Sequence, residues 1–224
     1  MTFLSEAKRI LDLLFVRKCI FCGKPVRFGT PIALCDKCRP KVGAYGQKTH
    51  LHGGLDMAYS LLPYTGMVRQ AIRKLKYRNM KYLADTFAEL MYRRAEDEGF
   101  LTGVDLVTCV PMHPNRARYY NQAEAIAREF SRRTGIEGNF SLLKKGKDIP
   151  SFSGMTLTQR RSHVRGAYVF NPGFDVRGKS ILLIDDTFTS GTTVNECAKM
   201  LKMYGARRVV ALTACYAVDA HMIS

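Results

Sequence analysis

The sequence predicts an α/β protein, a parallel sheet covered by helices, preceded by a small metal-folded segment. Three observations carry this. Apolar runs of strand length alternate with stretches of helical period from residue 58 to residue 214. One run, Ile181 to Ile184, ends in Asp185 and Asp186 and a glycine-containing turn of hydroxyl residues that leads into another helical pattern. Two Cys-x-x-Cys pairs stand near the amino end. With 224 residues there is room for one α/β domain and an appendage. The expected division is residues 1–50, an N-terminal helix and four-cysteine segment, and residues 51–224, the α/β domain.

In chain order, Phe3, Leu4, Ala7, Ile10, Leu11, Leu14 and Phe15 recur at helical spacing and predict a short amphipathic helix. Glu6, Lys8, Arg9 and Asp12 interrupt any signal-peptide core there. Next, Cys19 and Cys22 are followed after twelve residues by Cys35 and Cys38. Four thiolates on two tight knuckles suit one tetrahedral Zn²⁺, and four protein ligands leave no open position, which makes the expected zinc structural. A redox pair of dithiols is the other chemistry this spacing allows. His50 and His52 read as loop residues.

Residues 58–62 read as a strand and residues 67–78 as a helix with Val68, Ile72 and Leu75 inward. Arg69, Arg73 and Lys76 make a second, basic stripe on that helix, joined by Lys74, Arg78 and Lys81 and interleaved with Tyr77 and Tyr82. Such a stripe suits a nucleic-acid backbone with stacked bases. A solvated face that lacks acids has the same pattern. A helix over residues 83–98 and a buried strand over 104–110 follow, and the strand runs into Pro111, Met112, His113 and Pro114. Asn121 is the expected N-cap of the next helix. Residues 144–166, polar and basic, read as a long loop of the kind that serves as a lid. Residues 167–170 and 209–214 are the remaining strands, and Cys109, Cys197 and Cys215 are core residues.

Against 35 lysines and arginines stand 19 acids, a net charge of +16, which predicts attraction to polyanions: nucleic acid, phosphorylated small molecules or anionic membrane. Solubility alone is the other use of such charge. No apolar run approaches the ~18 to 20 residues that span a bilayer. Seven cysteines without a sign of export point to a cytoplasmic location.

The central turn is more specific than a generic phosphate loop. Thr189, Ser190, Thr192 and Thr193, with the backbone at Gly191, can donate to a phosphate; Asp185 and Asp186 would repel one and suit a ribose diol or Mg²⁺. The expected ligand carries both. No lysine follows the glycine as in a Walker loop, and the three spaced glycines of a dinucleotide fingerprint are absent. A turn that only caps its helix needs one such residue and not six.

This run resembles the phosphoribosyl pyrophosphate (PRPP) signature of type I phosphoribosyltransferases, and with the four cysteines the chain resembles the ComF family from residue 19 to residue 216. The resemblance implies a type I phosphoribosyltransferase-like parallel sheet with a small N-terminal zinc module. It implies PRPP or another phosphorylated ribose as ligand, accompanied by Mg²⁺, with Asp185 and Asp186 as catalytic residues. Thr187, Thr189, Ser190, Gly191, Thr192 and Thr193 would hold the ligand, and Met112 and His113 would contact its pyrophosphate. Leu75, Lys76 and Tyr77 resemble a recurrent element of the family, and Arg160 with Arg165, Gly166, Ala167 and Tyr168 resembles its lid. Three departures stand out: Tyr119 where relatives have glycine, and Phe152 and His163 where they commonly have Gln and Asn. A role with single-stranded DNA in natural transformation (competence) is implied, with a DNA translocase as partner.

Three functions fit: a DNA-handling protein that keeps a PRPP site, a working phosphoribosyltransferase acting on an acceptor that no segment identifies, and a zinc-stabilised adaptor whose site is empty. The first predicts salt-dependent single-strand binding through Arg69, Arg73 and Lys76. The second predicts turnover that needs both acids.

Overall fold

The computed structural model describes residues 17–26, 30, 32–42, 45–49, 53–77, 81–112, 120–146 and 167–218. The helix expected over residues 3–15, both loop histidines, His113, Tyr119, and the lid from residue 147 to residue 166 lie outside them. In chain order the elements are β1 (Gln47–Thr49), β2 (Met57–Pro63), α1 (Gly66–Tyr77), α2 (Lys81–Asp97), β3 (Leu106–Cys109), α3 (Gln122–Thr134), β4 (Leu143–Lys145), β5 (Tyr168–Phe170), β6 (Ser180–Phe188), α4 (Thr192–Met203) and β7 (Arg208–Tyr216).

Five strands form one sheet in the order β1-β2-β7-β6-β3. All neighbours are parallel except β1, which pairs antiparallel with β2. The alternation of β6 and β7 sorts their side chains into two layers. Leu182, Ile184, Val210 and Leu212 pack with Ile72, Leu75, Phe87, Met91, Ile126 and Phe130 of α1, α2 and α3. Ile181, Leu183, Val209 and Ala211 pack with Val194, Cys197, Ala198 and Leu201 of α4. Strands covered on both faces read as continuous apolar runs, which is why they were visible in the sequence.

Three elements differ from expectation, the first being β1, a strand where none was expected. β6 does not stop at Ile184 but pairs with β7 through Asp185, Thr187 and Phe188, opposite Thr213, Cys215 and Tyr216. The backbone ladder carries polar residues that a hydrophobicity pattern reads as the end of the strand. The loop expected from residue 144 also begins as a strand: β4 pairs antiparallel with β5, and only Leu143 of its three residues is buried.

The cysteine segment does not stand apart from the sheet. Ile20, Phe21, Ile32, Ala33 and Leu34 are buried in the same cluster as Tyr59, Leu62 and Phe87. The Ala33 N–H donates to Thr86 Oγ1 on α2 at 3.2 Å. On the opposite face, Asn195 Oδ1 of α4 accepts the N–H groups of Gly54 and Leu55 at 3.0 and 3.2 Å. A Cβ at Gly54 would lie 2.4 Å from the Lys199 backbone nitrogen, so the approach of this loop to α4 requires glycine. Among the described residues, no helix is long and apolar enough to cross a membrane.

Candidate functional site

Parallel strands place their loops together at one edge, so the carboxyl ends of β6, β3 and β2 share one rim with the start of α4. Gly191 precedes α4 in the left-handed conformation (φ 71°) and caps it with no side chain, while its carbonyl accepts the Asn195 N–H at 2.9 Å. The first turn of α4 holds no acid, and its leading N–H groups have no intrahelical acceptor. The Ser190 and Thr192 hydroxyls are paired at 2.8 Å beside it. Thr189 is exposed and Thr193 partly exposed. This is a helix start with backbone and hydroxyl donors converging and no negative charge of its own, which suits an anion.

The two acids precede this turn within β6. Successive side chains leave a strand on opposite sides, so the carboxyls diverge. Asp186 is buried and turns toward α1, where its Oδ2 meets Lys76 Nζ at 2.8 Å. Asp185 folds back so that its Oδ1 accepts the Asp186 N–H at 2.8 Å. Loss of water around its carboxyl, and then the charge of Asp186, push Asp185 up to about 8. Burial works against the Lys76 ammonium, but the charge and hydrogen bond of Asp186 outweigh it and hold Lys76 above the ordinary lysine range.

The remaining expected residues divide. Thr187 directs its hydroxyl to Cys215 Sγ at 3.4 Å. Met112 is partly exposed beyond the end of β3. Asn121 is the N-cap of α3, accepting the Ala123 N–H at 3.1 Å and donating to Val110 O at 2.9 Å. Of the basic stripe, Arg69 and Arg73 are exposed, whereas Lys76 is drawn inward to the acid. Spacing alone grouped Lys76 with the other two. The available signal was its place next to fully buried Leu75 at the end of the helix.

Cys19, Cys22, Cys35 and Cys38 bring their sulfurs within 4.8 Å of one another. Sulfurs tetrahedrally placed around Zn²⁺ at 2.3 Å stand about 3.8 Å apart, so the cluster fits the ion. Gly23, at φ 74°, turns the first knuckle and donates its N–H to Cys19 O at 2.9 Å; the Cys38 N–H donates to Cys35 O at 2.9 Å in the second. Burial and the neighbouring thiols push Cys38 up to about 12, while hydrogen bonds from Cys22 and Cys38 overcome burial and bring Cys35 down to about 7. Zn²⁺ takes cysteine as thiolate, so binding there would displace the protons of all four thiols.

The fold and the turn at the end of β6 define a phosphoribosyltransferase-like protein with a four-cysteine cluster near its amino end. The Phosphoribosyl transferase domain family matches residues 122–221. Beyond that class, the chain is ComF-like: it is similar to competence protein F of Haemophilus influenzae, 28% identical over 146 residues. That match takes in 62% of this chain and 63% of the relative's length. It is also similar to the DNA utilization protein YhgH of Salmonella typhi, 23% identical over 87% of this chain and 82% of that one. Among solved structures, the glutamine PRPP amidotransferase of B. subtilis is 23% identical with a TM-score of 0.39, covering 58% of this chain and 26% of the other.

Proposed function

We propose that this protein binds the phosphorylated ribose of PRPP, with Mg²⁺, at the β6–α4 turn, and that it handles single-stranded DNA in competence. The observation that carries the first half is the α4 start: a helix N-terminus without a side-chain cap, the paired Ser190 and Thr192 hydroxyls and no acid in the first turn, directly after a strand that carries Asp185 and Asp186. The 5′-phosphate lies on the α4 N-terminus with Thr189, Ser190, Thr192 and Thr193 as further donors. Asp186, and Asp185 once ionised, accept from ribose hydroxyls. Met112 and His113 border the pyrophosphate end, and Mg²⁺, bound with the ligand, neutralises the pyrophosphate. The cysteines hold Zn²⁺ and fold residues 1–50 as a module onto the 51–224 domain. Arg69 and Arg73, exposed along α1, contact the DNA backbone, and the names of the competence and DNA-utilization relatives support this half. A DNA translocase is the partner such a role calls for.

Release of pyrophosphate from PRPP and Mg²⁺ tests the reading, with pooled nucleobases and single-stranded DNA supplied separately and Asp186→Ala as control. Binding of PRPP without release supports a ligand-sensing DNA protein. Acceptor-dependent release that vanishes in the variant makes the protein a working transferase. Absence of PRPP binding to the zinc-loaded protein sinks the proposal.

A further inference from the structure

On the reading that this turn binds a phosphoribosyl ligand, we propose that Lys76 is the acid pair's resident cation. Its ammonium takes the position at Asp186 that a divalent ion would need, so the acids meet the ligand already neutralised and hold no metal of their own.

Three features place Lys76 in this role. First, the ion pair is short and enclosed: Nζ lies 2.8 Å from Asp186 Oδ2, with the two side chains 17% and 11% exposed. Second, Lys76 is delivered there by contacts other than the pair itself. Leu75 is fully buried, Tyr120 OH donates to Leu75 O, and Gln122 Nε2 donates to Lys76 O at 3.5 Å and to Tyr120 O at 3.3 Å. The last carbonyls of α1 are thus fastened to the start of α3, which fixes the point from which the lysine reaches. Third, the carboxyls are not arranged as a chelating pair. Asp185 spends Oδ1 on the Asp186 N–H and the two leave the strand in different directions, whereas Mg²⁺ demands octahedral oxygens with little distortion.

The chemistry follows from charge. Carboxylates beside a phosphate site repel the phosphate they are meant to flank; one fixed ammonium offsets Asp186 while Asp185 keeps its proton, and half of the pair's charge once Asp185 ionises. An ammonium has three donors, so after Asp186 it retains protons for ligand oxygens. A divalent ion then enters with the pyrophosphate end of the ligand and not through the acids.

Manganese uptake by the zinc-loaded full chain, followed by electron paramagnetic resonance, tests this. The proteins compared are wild type, Lys76→Arg, Lys76→Met, Asp186→Asn and the double variant Lys76→Met with Asp186→Asn. Wild type and Lys76→Arg are expected to take up no Mn²⁺ at this site. Lys76→Met frees Asp186 Oδ2 alone, so it should take up one equivalent on that single carboxylate with waters completing the shell, at a concentration at least about tenfold below any uptake by the wild type, and the double variant should lose it. One equivalent bound by the wild type and abolished by Asp186→Asn overturns the proposal, as does a folded Lys76→Met that binds no better than the wild type. The wild-type arm decides even where Lys76→Met does not fold. Ribose 5-phosphate titrated calorimetrically without divalent ions reads the parent proposal separately. Binding there supports both readings, and binding that appears only with added Mg²⁺ overturns the role of Lys76 alone. No binding under either condition sinks the phosphoribosyl reading, while the Mn²⁺ result still decides Lys76.

Discussion

Asp186→Ala removes one half of an enclosed ion pair, and the structure fixes what that should cost. With both side chains below one fifth exposed and 2.8 Å between charges, the pair is buried enough that solvent does not simply replace the lost partner. Stranding one member of a buried pair costs about 3–5 kcal/mol. Two local features reduce this. The charge of Asp185 also reaches Lys76, and removing Asp186 relieves the repulsion between the acids. The expected destabilisation is therefore about 1–3 kcal/mol, and a protein of this size should lose roughly 4–8 °C in Tm for the middle of that range. Lys76→Met alone leaves the Asp186 carboxylate without its partner and should also destabilise. Combined, the two changes replace the pair by apolar groups and should recover most of the loss, giving a coupling energy of about 1.5 kcal/mol or more. Thermal and urea melts of the four zinc-loaded proteins measure the cycle. Strictly additive single-variant effects would refute the claim that these charges are stabilised by each other.

The remaining predictions concern the site, the metal and the packing. Because Asp185 is raised to about 8 from an ordinary value near ~3.9, the folded protein holds a proton between those pH values that the unfolded chain has lost. Its contribution therefore makes stability fall as pH rises from ~4 toward ~8, and Asp185→Asn should flatten that slope in melts. For the same reason ribose 5-phosphate should bind more tightly as pH climbs through 8, since ionised Asp185 offers Oδ2 as a charged acceptor for one ribose hydroxyl beside Asp186; calorimetry above pH 7 reads this. Removing zinc with a strong chelator should lower the Tm of the whole protein and not melt the segment alone, because Ile20, Phe21, Ile32 and Leu34 are buried in the main core. Changing Arg69 and Arg73 together to Ala should reduce the salt slope of single-strand binding by about 1.4. Gly54→Ala should destabilise by about 2 kcal/mol or more, because the new methyl meets the α4 backbone and not a side chain that can swing away.

The sequence by itself determined the features that depend on local pattern. Ile181 to Ile184 and the run to Ala214 had to be covered strands because nothing in them offers a solvent face, and Asn121 had to cap a helix because its side chain serves the next turn. Four cysteines at knuckle spacing are a local statement too, and their sulfurs do converge. Tertiary structure alone decided what depends on partners distant in the chain. β6 continues through its acids because β7 supplies the ladder, β1 exists because β2 accepts it, and the cysteine segment is seated because α2 presents Thr86 and Phe87. Lys76 is the clearest case. Its spacing on α1 matches that of Arg69 and Arg73, and a periodic pattern cannot distinguish a lysine that faces water from one that faces a carboxylate 110 residues further on. Only the packing of α1 against the end of β6 separates them, since the energy of a charge is set by what surrounds it and not by its place in the sequence.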